Sequence, residues 1–102
     1  RETLCNINDI ARACAYLLKT GGTMYMLHRP SRICDVLCAL RTNGLEPRVL
    51  MFVQSKSADA PNLVLISAVK GAPPYLKVDK NLVIYNEDGS YTDESNKIYN
   101  LD

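Results

Sequence analysis

His28, Arg29 and Arg32 stand close together in the sequence, and their side chains could bind a phosphate or line a substrate pocket. His28 directly follows a short run of β-forming residues, Thr23 to Leu27, so it should lie at the carboxyl end of a strand. Ligands bind at that edge of open α/β sheets. The sequence therefore predicts a substrate or phosphate rim at these three positions, although His28 could instead cap or support the helix that follows.

Four cysteines, at positions 5, 14, 34 and 38, are the other residues with reactive side chains. They include no Cys-x-x-Cys pair and accompany a single histidine, so their spacing offers no recognisable zinc site and no metal is expected. We expect them to be reduced, buried and to act as small hydrophobes. Reduced thiols and the lack of an apolar signal sequence at the start favour the cytoplasm. The sequence contains no apolar run of about 18 residues, the length that would predict a membrane span.

Composition and charge limit the classes of function. The 102 residues, 47% of them hydrophobic, are enough for one small domain with one core. Residues 1–70 hold nine Lys or Arg against five Asp or Glu, whereas residues 71–102 hold three against six. The first part could therefore face a phosphate backbone and the acidic tail could not, with an ordinary solvated surface as the alternative.

Hydrophobic spacing predicts the elements that must position these residues. In chain order they are a helix at about 8–20, a strand at 23–27, a helix at 30–42 and strands at 45–53 and 63–69. We expect Asn8 to cap the first helix, Gly21-Gly22 to end it and Pro30 to open the second. The run at 63–69, apolar except for Ser67, is typical of a strand buried on both faces.

The sequence changes character beyond Gly71, where Pro, Asp, Asn and Lys become frequent. We therefore divide the chain into a body at 1–70 and a tail at 71–102 that packs on it. The tail is predicted to contain a strand at 82–85, a turn at 86–89 and a brief helix capped by Thr92. Four tyrosines have expected roles: Tyr25 and Tyr85 in the core, and Tyr91 and Tyr99 as contacts between tail and body.

The order of elements is unusual because it opens on a helix that leads into a strand. Such a helix is half of a βαβ crossover, and the strand that should precede it is missing from the 102 residues. The sequence therefore predicts the carboxyl-terminal half of an α/β domain, in the order helix, strand, helix, strand, strand.

A family resemblance runs through nearly the whole chain. Its most telling pieces are Lys19-Thr20-Gly21-Gly22, His28-Arg29-Pro30, Leu45-Glu46-Pro47 and the segment from Asn62 to Lys70. They resemble the carboxyl-terminal half of bacterial S-adenosylmethionine-dependent methyltransferases of the tRNA adenine-N6 type, often described only as predicted O-methyltransferases. The resemblance implies a Rossmann-like class I sheet in which the strand at 63–69 is central and antiparallel, between those at 23–27 and 45–53.

The resemblance also implies what the parent enzyme uses, namely S-adenosylmethionine as cofactor and tRNA as substrate. Such enzymes hold the cofactor on a glycine-rich turn after their first strand, where a side chain would block close approach. The five glycines here form no Gly-x-Gly. We therefore expect this chain to hold no cofactor-binding or catalytic residue and to be inactive without its amino-terminal half. The alternative is an independent α/β module that acts by protein association.

A partial match to the family's catalytic motif, Asn/Asp-Pro-Pro-Tyr/Phe, occurs at Ala72-Pro73-Pro74-Tyr75. Alanine cannot accept a hydrogen bond from the target amine, and the motif belongs after the fourth strand, upstream of residue 1. We interpret this tetrapeptide as a stiff exit from the sheet. The RNA or substrate rim is therefore assigned to His28, Arg29 and Arg32, while the more distant Arg41 and Arg48 are expected to be solvent-exposed.

The missing half has a further consequence for the strand at 23–27. In a complete sheet this strand would be paired on both sides. Without the missing half, one of its edges is open. We expect the chain to form a homodimer or larger assembly through that edge, with Met24, Met26 and the face of the helix at 8–20 at or close to the contact.

Overall fold

The computed structural model describes residues 6–99, with side chains described up to Lys97. These residues form three α-helices and five strands, together with one turn of 3-10 helix. In chain order they are α1 (Ile7–Leu17), β1 (Thr23–His28), the 3-10 turn (Pro30–Arg32), α2 (Ile33–Thr42), β2 (Leu45–Gln54), β3 (Leu63–Lys70), β4 (Lys77–Val78), β5 (Leu82–Val83) and α3 (Asp93–Tyr99).

The strands form one sheet in the order β1-β3-β2-β4, with β5 also pairing with β2. β3 lies between β1 and β2 and is antiparallel to both, as predicted. The two short tail strands run parallel to β2 and continue the sheet on its outer edge. The prediction of one tail strand at 82–85 was therefore too long and missed β4, because a two-residue strand leaves no periodic signal in a sequence.

Both α1 and α2 cover the same face of the sheet. Val64, Ile66 and Ala68 of β3 alternate onto that face and are buried with Ala11 of α1 and Leu40 of α2. Covering a Val, Leu or Ile side chain in this way stabilises the fold by about 1.5–3 kcal/mol. The expectation that β3 is buried on both faces was wrong, because the intervening residues of β3 face away from the helices and are partly exposed.

Helix α1 begins at a capping box, in which the Asn6 side chain accepts from the backbone of Asp9 and the Asp9 carboxylate accepts from the backbone of Asn6. The predicted cap, Asn8, is instead inside the helix and accepts a hydrogen bond from Asn43. The helix ends at Leu17, before the predicted residue 20. Gly21 does have a left-handed φ of 88°, but in the turn into β1 rather than at the end of the helix.

The end of α1 is held by a residue from a distant part of the sequence. The Lys70 ammonium donates to the carbonyl oxygens of Ala15 and Leu18, at 2.6 and 2.8 Å. The last turn of α1 contains no basic residue, and a helix leaves its last carbonyls without partners inside the helix. Lys70, at the end of β3, therefore supplies the cation that this helix lacks.

Helix α2 ends at Thr42 as predicted but begins at Ile33, because the first three residues of the predicted helix form the 3-10 turn. Pro30 opens the 3-10 turn before α2, and Gly44 follows α2 with a left-handed φ of 80°. In the tail the Thr92 hydroxyl accepts from the backbone of Ser95, which confirms it as the cap of α3.

The tyrosines differ from their predicted roles. Tyr25 is exposed rather than in the core, and Tyr85 lies outside the strands, in an isolated bridge with Tyr91. The rings of Tyr85 and Tyr91 stack with centroids 5.4 Å apart, so Tyr91 contacts another tail residue. The side chain of Tyr99 and all of Cys5 lie outside the described residues.

Candidate functional site

The structure brings His28, Arg29 and Arg32 together along one groove at the carboxyl end of β1. The groove has a volume of about 810 Å³ and is open to solvent. Its walls are the end of β1 with the 3-10 turn, the start of α1 and the first turns of α2. Asp35 and Asn8 add further polar side chains to this surface.

His28 is half-buried, and its ring orientation is set by the neighbouring backbone. Its Nδ1 accepts a hydrogen bond from the backbone N–H of Arg29 at 2.9 Å. In the neutral ring the proton is therefore on Nε2, which is the nitrogen able to donate to a ligand. The same bond supports the turn that leads into α2, so the ring has a local structural role as well.

The two arginines of the groove have different partners. Arg32 donates to Asp35 at 2.6 Å in an ion pair whose side chains are both more than half exposed. No ion pair within residues 6–97 involves Arg29. An exposed pair of this kind is worth about 0–1 kcal/mol, so a bound phosphate could replace Asp35 at small cost. The groove thus offers two guanidinium groups against one carboxylate.

A second groove, which the sequence did not indicate, lies between α2 and β2 and has a volume of about 490 Å³. Cys34 and Cys38 line it and are exposed, so the expectation that they are buried was wrong. Their positions could have shown this, because they lie on the opposite side of the helix from Val36 and Leu40.

Arg41 and Glu46 form the polar wall of the second groove. Two nitrogens of Arg41 donate to the two carboxylate oxygens of Glu46. This hydrogen bonding, followed by the charges of Arg41 and Arg48, lowers the pKa of Glu46, with burial opposing the shift. Arg41 is exposed as expected, but Arg48 is partly buried and its guanidinium lies 5.7 Å from the ring centroid of Tyr75.

The glycines allow a test of whether these residues could cradle S-adenosylmethionine. In such a cradle a glycine backbone approaches the ligand where a Cβ would intrude. A Cβ on Gly21, Gly44 or Gly89 would meet nothing within 4 Å, and each of these glycines lies in a turn. At Gly22 it would meet Leu18 and Lys19, and at Gly71 it would meet the methyl group of Thr20, so the chain itself fills both places. The glycines of the described part do not fit that cofactor.

Two other kinds of feature, a metal centre and a membrane-spanning helix, are absent from the part of the chain that the structure describes. Among residues 6–99, no three His, Cys, Asp or Glu side chains are grouped so that they could hold a metal ion. In the same part of the chain, no helix combines the length and the apolar character needed to span a bilayer. Ala72 to Tyr75 connects β3 to the tail, and Tyr75 at its end is exposed.

Comparison with solved structures identifies the fold. The chain is similar to the crystal structure of a predicted O-methyltransferase, protein Atu636 from Agrobacterium tumefaciens, with a TM-score of 0.84. The chain has a methyltransferase-like fold. The match covers 92% of this chain at 16% sequence identity, but 45% of that protein, so the chain spans less than half its length. No protein-family profile and no curated protein matches the sequence.

Proposed function

We propose that this chain is the carboxyl-terminal part of a bacterial S-adenosylmethionine-dependent methyltransferase that modifies an adenine amino group in tRNA. The observation that carries the proposal is the match of nearly the whole chain to 45% of a predicted O-methyltransferase. The family resemblance of the sequence supports the choice of tRNA and of adenine. Unpaired thiols at Cys14, Cys34 and Cys38 support a reducing compartment, the cytoplasm.

In this proposal the groove at the end of β1 is the RNA rim. Arg29 contacts a backbone phosphate directly, and Arg32 exchanges Asp35 for a second phosphate. Each neutralised phosphate releases counterions, so the contribution of these residues falls as salt rises. The Nε2–H of His28 donates to a phosphate or to a base edge.

The cofactor is assigned to the remainder of the parent enzyme, because the glycines of this chain do not fit it. Titration of the 102-residue chain with S-adenosylmethionine should therefore produce no saturable heat. A micromolar dissociation constant would contradict this assignment.

The activity is tested with the longest natural polypeptide that contains this chain. We expect it to transfer tritiated methyl groups from S-adenosylmethionine to unmodified tRNA and to produce N6-methyladenosine on nucleoside analysis. The double variant R29A/R32A should bind tRNA at least tenfold more weakly with a reduced salt slope. Arg12→Ala is the control, because Arg12 forms a similar exposed i,i+3 pair with Asp9 but lies outside the groove. Methylation of another nucleoside, or equal losses in both variants, would contradict the proposal.

A second candidate function is a protein-association module without catalysis. It is favoured by the edge of β1, to which no other strand of residues 6–99 is added. Absence of methyl transfer by the longest natural polypeptide, in the presence of folded protein, would select this candidate.

A further inference from the structure

The entry into α2 depends on a hydrogen bond to the ring of His28. The N-cap residues of the 3-10 turn and of α2 are Arg29 and Arg32, and neither caps its element with its own side chain. Pro30 has no backbone N–H to contribute. The backbone N–H of Arg29 instead donates to Nδ1 of His28 at 2.9 Å, and the Arg29 carbonyl oxygen accepts from the backbone of Arg32 at 3.1 Å. The ring therefore holds the peptide on which the turn is built.

The two guanidinium groups of the groove at the end of β1 depend on the same turn. Arg29 stands directly before the turn and Arg32 ends it, and both residues line the groove. Two guanidinium groups bind one stretch of phosphate backbone well only when their separation and direction are fixed. His28 therefore acts on both arginines through the backbone, apart from any contact that its own Nε2–H makes.

Protonation of His28 would remove this support. A neutral imidazole has one nitrogen that accepts a hydrogen bond, whereas both nitrogens of the imidazolium ion are donors. In a protonated ring the Nδ1–H would face the backbone N–H of Arg29, so the bond that holds the turn would be lost.

The groups around His28 offer no free carboxylate to hold a protonated ring. Among the described residues that line the groove, the charged ones are Arg29, Arg32 and Asp35, and Cys38 is a further titratable side chain. Asp35 already accepts from Arg32 at 2.6 Å. The residues that α1 and its cap contribute to the groove are uncharged, and Val64, which pairs with His28 from β3, is apolar.

The place of the bond decides the sign of the pH effect. A ring that bound phosphate by charge alone would bind more tightly in acid, because protonation adds a cation. In this groove the gain is opposed by the loss of the turn that aligns two guanidinium groups. The groove is open to solvent, so an added charge is screened at physiological salt, whereas misplaced donors stay misplaced at any salt concentration. The net result is weaker phosphate binding in acid.

We infer that His28 is a positioning residue whose neutral ring aligns Arg29 and Arg32 for RNA phosphates, so that binding in this groove weakens in acid. The inference rests on the proposed function, because RNA phosphate is the ligand that it assumes.

Fluorescence anisotropy of labelled, unmodified tRNA tests the inference, with the longest natural polypeptide that contains this chain and at a salt concentration of about 0.15 M. The wild type should bind about fivefold more weakly at about pH 5.5 than at about pH 8, a range in which histidine side chains as a class change charge.

Two substitutions separate the role of Nδ1 from that of the rest of the ring. His28→Asn places an amide oxygen near the position of Nδ1, where it can accept the same bond without titrating. This variant should keep most of the affinity at high pH and lose the part of the pH dependence that His28 causes. His28→Ala has no acceptor and should bind about fivefold more weakly than His28→Asn at high pH. Both variants lack the Nε2–H, so the difference between them reports Nδ1 alone, and circular dichroism should show that both fold.

Equal affinities of His28→Asn and His28→Ala would overturn the inference, as would a wild type whose affinity rises in acid relative to that of His28→Asn. If R29A/R32A still weakens tRNA binding in that case, the RNA rim stands and only the positioning role of His28 is wrong. If R29A/R32A leaves tRNA binding unchanged, the rim itself is wrong and the inference falls with it.

Discussion

The two edges of the sheet differ in their strand pairing within residues 6–99. The outer edge of β2 receives β4 and β5 from the tail, which pair with Val49, Leu50, Val53 and Gln54. The outer edge of β1 receives no strand from residues 6–99. The difference teaches that a tail with little sequence periodicity can pair with one edge of a sheet, whereas β1 obtains no such strand from the described residues.

Side-chain and backbone hydrogen bonds hold the edge of β2 that the tail closes. The side-chain amide nitrogen of the buried Gln54, at the end of β2, lies 3.0, 3.1 and 3.1 Å from the carbonyl oxygens of Lys56, Ser57 and Asp59 in the loop that follows, and its two N–H groups are shared among these three acceptors. Its side-chain oxygen accepts from Asn81, and its backbone oxygen accepts from Ile84. One residue thus joins the loop and the tail to the sheet.

The largest expected effect comes from β3, the central strand, because β1 and β2 both pair with it. Ile66→Asp buries a carboxylate against both helices and should lower the free energy of unfolding by about 4 kcal/mol or more. Leu65→Asp, on the partly exposed face of the same strand, should cost clearly less. Urea denaturation followed by circular dichroism measures both. Equal losses would show that the two faces of β3 are covered alike.

The next effect is specific to the closed edge. Gln54→Ala leaves three loop carbonyls and the Asn81 amide without their partner and should cost about 2–3 kcal/mol. Hydrogen exchange should show faster opening of the amide of Ile84 than of amides in β1. Asn81→Ala removes a single one of these bonds and should have a smaller effect. An unchanged tail in Gln54→Ala would mean that strand pairing alone closes this edge.

A smaller effect concerns the end of the tail. The Thr92 hydroxyl donates to the carbonyl oxygen of Val83 in β5 and caps α3. Thr92→Val keeps the shape but loses both bonds, and should lower stability by about 1 kcal/mol. Thr92→Ser retains the hydroxyl and should stay close to the wild type. Thermal unfolding of the two variants measures the difference, and equal midpoints would rule out a role for the hydroxyl.

The smallest effect concerns the ion pair between Arg41 of α2 and Glu46 of β2. The hydrogen bonds from Arg41 lower the folded-state pKa of Glu46, so this pair stabilises the protein above the unfolded pKa of about 4.3. The stabilisation should disappear as the pH falls through the lower folded pKa. Melting temperatures of wild type and Glu46→Gln should therefore differ near neutral pH and converge in acid. Arg41→Gln should remove the same pH dependence, and a gap that persists below pH 3 would contradict the mechanism.

Much of the fold could be predicted because its signals are local. The apolar stripe of α2 and the run at Leu63 to Val69 identify helix and strand without knowledge of their partners. The place of β3 between its two neighbours came from the family resemblance, and the structure confirms it. Of the candidate site, the proximity of His28, Arg29 and Arg32 followed from their adjacency at the end of a strand.

The contributions of Asp35 and Asn8 to the groove could not be predicted, because they depend on how α1 and α2 meet. Gln54 was also missed as the residue that closes an edge, since its partners come from a loop and a tail far along the chain. A side-chain amide has the same appearance in a sequence whether it is solvated or buried with every hydrogen bond satisfied.

The sequence by itself determined where the main helices and strands form, because apolar residues that recur every 3.6 or every 2 positions can be recognised within a short stretch of sequence. It also marked Ile10, Leu17, Tyr25 and Leu27 as apolar. Only the tertiary structure decided that these four remain exposed while Ile66 and Leu40 are covered. The physical reason is that periodicity assigns a residue to a face, whereas burial requires another element to pack on that face, and within residues 6–99 α1 and α2 both pack on one face of the sheet.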